Sequence, residues 1–159
     1  MRTCLFPGTF DPVTLGHTDI INRSIGLFDK IVVGIGINST KKPMFPTDQR
    51  IAWFREIYKN EPKIEVRSYE GLTVEFCSEI GAQFILRGIR YVSDFEYEKT
   101  IADANRTLNR SIETIFLTGE PRFNSVVSTI VRDILNHKGD ASAFLPEAVN
   151  KTLYPDQFK

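Results

Sequence analysis

Hydrophobic and polar positions change period several times along the chain. Short apolar runs, each closed by Gly, Pro or polar residues, occupy residues 2–6, 30–37, 64–67, 83–86 and 114–117. Runs of that length, apolar at consecutive positions, predict strands buried on both faces. Between them apolar residues recur every three or four positions. Residues 18–28 put Ile21, Ile25 and Phe28 on one stripe, and residues 48–59 do the same with Ile51, Phe54, Arg55 and Tyr58 around Trp53, as amphipathic helices require. Thr47 stands at the N-cap of the second, with Asp48 in its first turn. A third helix over 72–80 stops at Gly81, and Ser93 with Glu96 has capping-box spacing ahead of a helix ending near Leu108. Two more helices are predicted over 126–138, stopped by Gly139, and over 146–153.

Strand and helix in alternation, with crossovers of a dozen residues or more, predict a parallel sheet covered on both faces. The fold class is α/β, a Rossmann-like doubly wound parallel five-stranded sheet. No linker or repeat divides the 159 residues, so residues 1–159 read as one domain. In such a sheet ligands bind beyond the carboxyl ends of the strands, where strand order reverses. The segments that follow strands are therefore the ones that matter.

Composition narrows the chemistry. Twenty basic residues balance twenty acidic ones, which argues against a nucleic-acid backbone as partner, because wrapping many phosphates needs a basic excess. A small phosphorylated ligand stays open. Apolar content of 42% is ordinary for a soluble domain. No run reaches the roughly 18 residues of a membrane span, and residues 1–8 lack the apolar stretch of a signal peptide, so the expected location is the cytoplasm. Cys4 and Cys77 have no thiol at metal-ligand spacing and read as buried hydrophobes.

Residues 6–17, Phe-Pro-Gly-Thr-Phe-Asp-Pro-Val-Thr-Leu-Gly-His, follow the first strand and open the first helix. Gly8 lets backbone approach a ligand, helix-start N–H groups point outward, and the helix dipole favours an anion there. Thr9 adds a hydroxyl, and His17 can donate to a phosphoryl oxygen if its tautomer is set correctly. The alternative is a plain loop capped by His17. Lys41 and Lys42 follow the second strand, either as mobile phosphate-binding charges or as solvated surface lysines. Arg87-Gly88-Ile89-Arg90 follows the fourth strand, where two guanidinium groups could grip phosphate or pair with Asp94, Glu96 and Glu98. Asn124, Ser125, Ser128 and Thr129, after the fifth strand, read as helix caps. Thr73 reads as a helix-start residue, and His137 as a helix C-terminal residue placed favourably in the dipole.

Taken whole, Gly8-Thr9-Phe10-Asp11-Pro12 with Thr14-x-Gly16-His17 resembles the signature of the nucleotidyltransferase superfamily, and within it the phosphopantetheine adenylyltransferase family. The resemblance continues through Ser39-Thr40-Lys41-Lys42-Pro43-Met44-Phe45, residues 86–90 and 94–98, Gly139-Asp140 and residues 144–147. It implies adenylyl transfer from ATP to 4'-phosphopantetheine, giving dephospho-coenzyme A and pyrophosphate, without a covalent intermediate. Thr9, His17, Lys41 and Arg90 are the implied catalytic residues. ATP is implied to meet Thr9, Phe10, His17, Gly88, Ile89, Arg90, Glu98 and the run Phe123, Asn124, Ser125, Val126, Val127, Ser128 and Thr129. The acceptor is implied to meet Thr9, Lys41, Thr73 and Arg87. Val127 departs from the family, which has a serine there; its backbone N–H is expected to remain available to phosphate. Mg²⁺ held mainly by the ATP phosphates, a homohexamer and coenzyme A as feedback ligand are further implications. Rival readings are another small nucleotidyltransferase, acting on nicotinamide mononucleotide or as a cytidylyltransferase, and a non-catalytic nucleotide-binding domain. On either enzyme reading the neutral total charge would conceal a local positive pocket built from His17, Lys41, Arg87 and Arg90.

Overall fold

A computed structural model describes residues 1–37, 40 and 42–159; Ser39 and Lys41, both part of the sequence argument, lie outside the described residues. Five strands form the sheet: β1 (Thr3–Gly8), β2 (Lys30–Gly36), β3 (Ile64–Tyr69), β4 (Phe84–Ile89) and β5 (Glu113–Thr118). All neighbours are parallel, in the order β3-β2-β1-β4-β5. The chain thus moves outward from β1 in one direction and then returns to its other side. The reversal lies between β1 and β4, where ligand sites of such sheets form.

Among the described residues six α-helices connect and cover the strands: α1 (Leu15–Ser24), α2 (Thr47–Ile57), α3 (Thr73–Ile80), α4 (Val92–Leu108), α5 (Ser128–Asn136) and α6 (Glu147–Leu153). Successive strand side chains alternate between the two faces. Cys4 and Phe6 of β1 and Ile31, Val33 and Ile35 of β2 join the cluster that includes Ile20, Trp53, Phe54, Val131 and Val149 from the helices. Leu5, Val32 and Ile85 point the other way, onto Val74, Phe76 and Cys77 of α3. The apolar runs of β1, β2 and β4 are nearly continuous because these central strands supply both cores. Both cysteines are buried and free, and burial pushes each thiol up from its ordinary range.

Several element ends differ from expectation, each for a local reason. α1 begins at Leu15, three residues early, because extended Thr14 is its N-cap and accepts the first intrahelical bonds. β4 continues through Arg87, Gly88 and Ile89, which pair with Phe116, Leu117 and Thr118, so these residues are strand and not a following turn. α4 is capped by Asp94, whose carboxylate accepts the Arg90 and Tyr91 N–H groups, rather than by Ser93 with Glu96. Thr47 is the first residue of α2, and its hydroxyl accepts from Arg50 instead of capping. Arg55 faces solvent while Arg50 is buried. α5 starts at Ser128, two residues late, and Lys138 with φ 59° takes the left-handed position expected of Gly139. Gly139 is required for space instead: a Cβ there would stand 2.8 Å from Ile134 Cγ2. Gly81, at φ 66°, ends α3 as expected.

Candidate active site

The carboxyl ends of β1 and β4 open between the N-termini of α1 and α5. Gly8 ends β1 against the ring of Phe10; a Cβ on Gly8 would stand 2.7 Å from Phe10 Cζ. Phe10 has φ 48°, a left-handed conformation unfavourable for a bulky residue. Its buried ring meets His17 edge-on at 5.0 Å between centroids and Phe54 at 4.9 Å. The close approach of α1 to its surroundings needs two more glycines. A Cβ on Gly16 would lie 3.2 Å from Val126 O, and one on Gly88 would lie 3.0 Å from Ile20 Cγ1.

The resulting cleft, about 300 Å³, is lined by Thr9, Phe10, His17, Gly88, Ile89, Arg90, Glu98, Phe123, Val126, Val127, Ser128 and Thr129. Each is a residue that the family resemblance implies to meet ATP, and the wall is completed by others, Gly8, Gly16 and Ile20 among them. A second cavity of about 560 Å³ lies alongside, lined by Thr9, Thr73, Arg87, Tyr69 and Asn105 among others. Thr9, Arg87 and Glu98 face both cavities. Apart from Asn124, Ser125 and Lys41, the residues assigned to two substrates fall into two adjoining spaces with a shared wall. Lys41 lies outside the described residues; its neighbour Lys42 is exposed.

His17 is held from one side. Its Nδ1 accepts the Thr14 N–H at 3.0 Å and lies 3.1 Å from Thr14 Oγ1. A nitrogen that accepts cannot carry the proton, so Nε2 carries it and is a donor. Burial, reinforced by the Arg90 and Arg87 charges, pushes the imidazole down to about 3. His17 is therefore a neutral hydrogen-bond donor at physiological pH, not a cation.

The arginines are paired as well as poised. Arg87 Nε and Nη2 donate to Glu98 at 2.7 and 2.5 Å, and Nη1 donates to Pro7 O at 2.5 Å. Arg90 is held more loosely, with Nε 3.4 Å from Asp94 Oδ2. The arginines of the Arg-Gly-Ile-Arg string line the cleft and also pair with acids, Arg87 with Glu98 and Arg90 with Asp94. The expected positive pocket is correspondingly corrected. Its histidine is neutral and its Arg87 charge is matched, so among the described residues positive potential comes from Arg90, loosely paired with Asp94, from Arg132 and from two helix N-termini.

Asn124 and Ser125 do not line the cleft. Ser125 is exposed, and Asn124 Oδ1 is buried without a hydrogen-bond partner among the described residues. Nor is the Val127 backbone N–H available, because it donates to Ser125 O at 3.1 Å. The Ser128 hydroxyl donates to Pro12 O at 2.9 Å, and Thr129 Oγ1 accepts from Arg132. What α5 offers an anion is its first-turn amides, which have no acceptor within the helix. His137 stays outside the site, with Nδ1 2.9 Å from Asp133 O at the end of α5.

Sequence reasoning missed Arg132 and Asp19, which also line the cleft. Arg132 follows Ser128 and Thr129 by four and three positions, so helical spacing places all three on one face. Asp19 accepts from Arg23, a spacing of four, and from the Glu120 N–H, while Arg23 reaches Thr118 O at 2.6 Å. That i, i+4 pair was the available signal.

Residues 5–134 match the cytidylyltransferase-like family. The chain is 52% identical to the phosphopantetheine adenylyltransferase of Flavobacterium psychrophilum, over 94% of this chain and 98% of that one. It is 50% identical to that of Bacteroides fragilis, over 94% and 99%, and 43% identical to that of Caldanaerobacter subterraneus, over 100% and 99%. Among solved structures it is similar to a lipopolysaccharide core biosynthesis protein from Thermoplasma volcanium, with a TM-score of 0.56 and 20% identity over 76% of this chain and 98% of that one. That last likeness concerns the fold alone. With the family match spanning most of the chain and the relatives nearly all of it, the chain belongs to the cytidylyltransferase-like nucleotidyltransferases and, within them, to the phosphopantetheine adenylyltransferase family.

Proposed function

We propose that this protein transfers the adenylyl group of ATP to the phosphate of 4'-phosphopantetheine, forming dephospho-coenzyme A and releasing pyrophosphate. One observation carries the reading: the nucleotide cleft and the second cavity meet at Thr9, Arg87 and Glu98, where an acceptor phosphate would face an α-phosphorus.

An acceptor oxygen forms the new bond to the α-phosphorus as the bond to the pyrophosphate oxygen breaks, and pyrophosphate leaves with the electron pair. The attacking phosphate is already ionised near pH 7, so no group has to remove a proton. This suits a site whose histidine is held neutral. The residues act by positioning and by stabilising charge. Thr9 orients the acceptor, while His17 Nε2–H, Arg90 and Lys41 meet the charge developing on the α-phosphate. The first-turn amides of α5 hold the outer phosphates.

Magnesium is proposed to arrive with the nucleotide. The cleft carboxylates of Asp19 and Glu98 already accept N–H groups, which fits an ion carried by phosphates and water rather than by a protein cage. When bound, it neutralises phosphate charge. Coenzyme A is proposed to compete for the same two cavities. A homohexamer in the cytoplasm completes the proposal. An assembly of copies is supported by α4, which buries none of its residues and exposes Val92, Phe95, Tyr97, Ile101 and Leu108. No described helix is long and apolar enough to cross a membrane.

The test is pyrophosphate release from ATP and Mg²⁺ with a panel of phosphorylated acceptors. Turnover with 4'-phosphopantetheine is expected. Turnover with nicotinamide mononucleotide alone, or ATP binding without turnover on any acceptor, would overturn the proposal.

A further inference from the structure

We infer that Asp11 is a positioning residue for this reaction: it clamps the Thr9–Pro12 turn to the chain entering α2 and thereby keeps Phe10, and through it His17, in the geometry the site needs. The inference rests on the proposed adenylyl transfer.

Asp11 is nearly buried and lines neither cavity, so it acts through other residues. Its carboxylate accepts two backbone N–H groups, from Met44 and Phe45, each at 2.8 Å. Arg50, 3% exposed, closes the clamp from α2. Its Nη1 donates to Thr9 O at 2.6 Å and its Nε to Phe45 O at 3.0 Å. From the opposite side Arg132 Nη1 donates to Asp11 O at 2.7 Å, and Ser128 Oγ donates to Pro12 O at 2.9 Å.

Three elements therefore grip four residues, and among those four is Phe10 at φ 48°. An unfavourable backbone conformation persists only where its surroundings over-determine it. Thr9, one residue before Phe10, faces both cavities, and the Phe10 ring braces His17 edge-on. Loss of the carboxylate would leave the Met44 and Phe45 amides without acceptors and would let the turn relax. The consequence is misplacement of Thr9 and His17, with Gly88 and Ile89 at the end of β4 and Arg90 just after it untouched.

The experiment compares wild type with Asp11→Asn, which keeps the shape but replaces one acceptor oxygen by a donor. A Lys63→Met control removes the Lys63 Nζ bonds to Ile25 O and Phe28 O, remote from the site. With ATP and 4'-phosphopantetheine, Asp11→Asn is expected to lower kcat at least tenfold while KM for ATP stays within about threefold. Backbone hydrogen exchange is expected to lose protection at Met44 and Phe45 and keep it in β1 and β2. The control keeps kcat near wild type. Should Asp11→Asn fail to fold, Asp11→Glu, which keeps the charge and displaces both oxygens, is held to the same thresholds. Unchanged kcat, unchanged exchange at Met44 and Phe45, or an equal loss in the control would overturn the inference. Wild-type protein that released no pyrophosphate from this pair would instead overturn the activity on which it rests.

Discussion

Acidification gives a quantitative check on the state of His17. With Nδ1 accepting from Thr14 and burial opposing a charge, the folded imidazole sits at about 3 against an ordinary value of 6.5. Below 6.5 the unfolded chain therefore binds a proton that the folded chain refuses, so stability falls as pH falls towards 3 and is flat above about 7. Each pH unit in that window is worth about 1.4 kcal/mol. At pH 5, one and a half units below the ordinary value, the loss is about 2 kcal/mol. His17→Asn removes the titrating group while leaving an oxygen able to accept the Thr14 N–H. Urea unfolding at pH 7 and pH 5 is expected to show wild type losing about 2 kcal/mol more than His17→Asn over that interval. NMR supplies the direct reading. The chain has two histidines, so the variant identifies the His17 imidazole signal, which should keep its neutral position at pH 5. A His17 signal that titrates near 6.5, or parallel losses in the two proteins, would refute a neutral donor at this position.

Other substitutions test separate parts of the site. His17→Ala is expected to lower kcat on the order of 10²-fold, the cost of one lost transition-state donor, with circular dichroism unchanged; near-normal turnover would remove His17 from the mechanism. Gly8→Ala drives a methyl into the Phe10 ring 2.7 Å away, and denaturant melts should show a loss of about 1–3 kcal/mol together with reduced turnover. Glu98→Gln leaves Arg87 without its carboxylate partner; a stability loss of about 1–2 kcal/mol should come with a changed KM for the acceptor, measured by pyrophosphate release. Phe54→Ala, in the fully buried core behind Phe10, should cost about 3–5 kcal/mol in chemical denaturation.

Local sequence was enough for the elements and for the side of the sheet on which chemistry occurs. Short, mostly apolar runs closed by Gly, Pro or polar residues read as strands, and their alternation with amphipathic helices dictated parallel strands with a ligand edge at the carboxyl ends. Thr9, His17 and Arg90 were legible because they follow strands, and a chain leaving a strand must pass that edge; Thr129 was reached only through the family resemblance. Sequence could not say that Arg87, Gly88 and Ile89 are strand residues, because their pairing is fixed by β5, 29 positions further along from Arg87 to Phe116. Nor could it say that Asp94 rather than Ser93 with Glu96 caps α4, since both patterns fit within one turn. Asp11, Arg50 and Arg132 carry ordinary polar side chains whose partners lie 33, 41 and 121 residues away. Such pairings exist only after the chain has closed. The neutral His17 is the clearest case: spacing placed it at the first turn of α1, but its tautomer and charge follow from Thr14, the Phe10 ring and the burial that folding imposes.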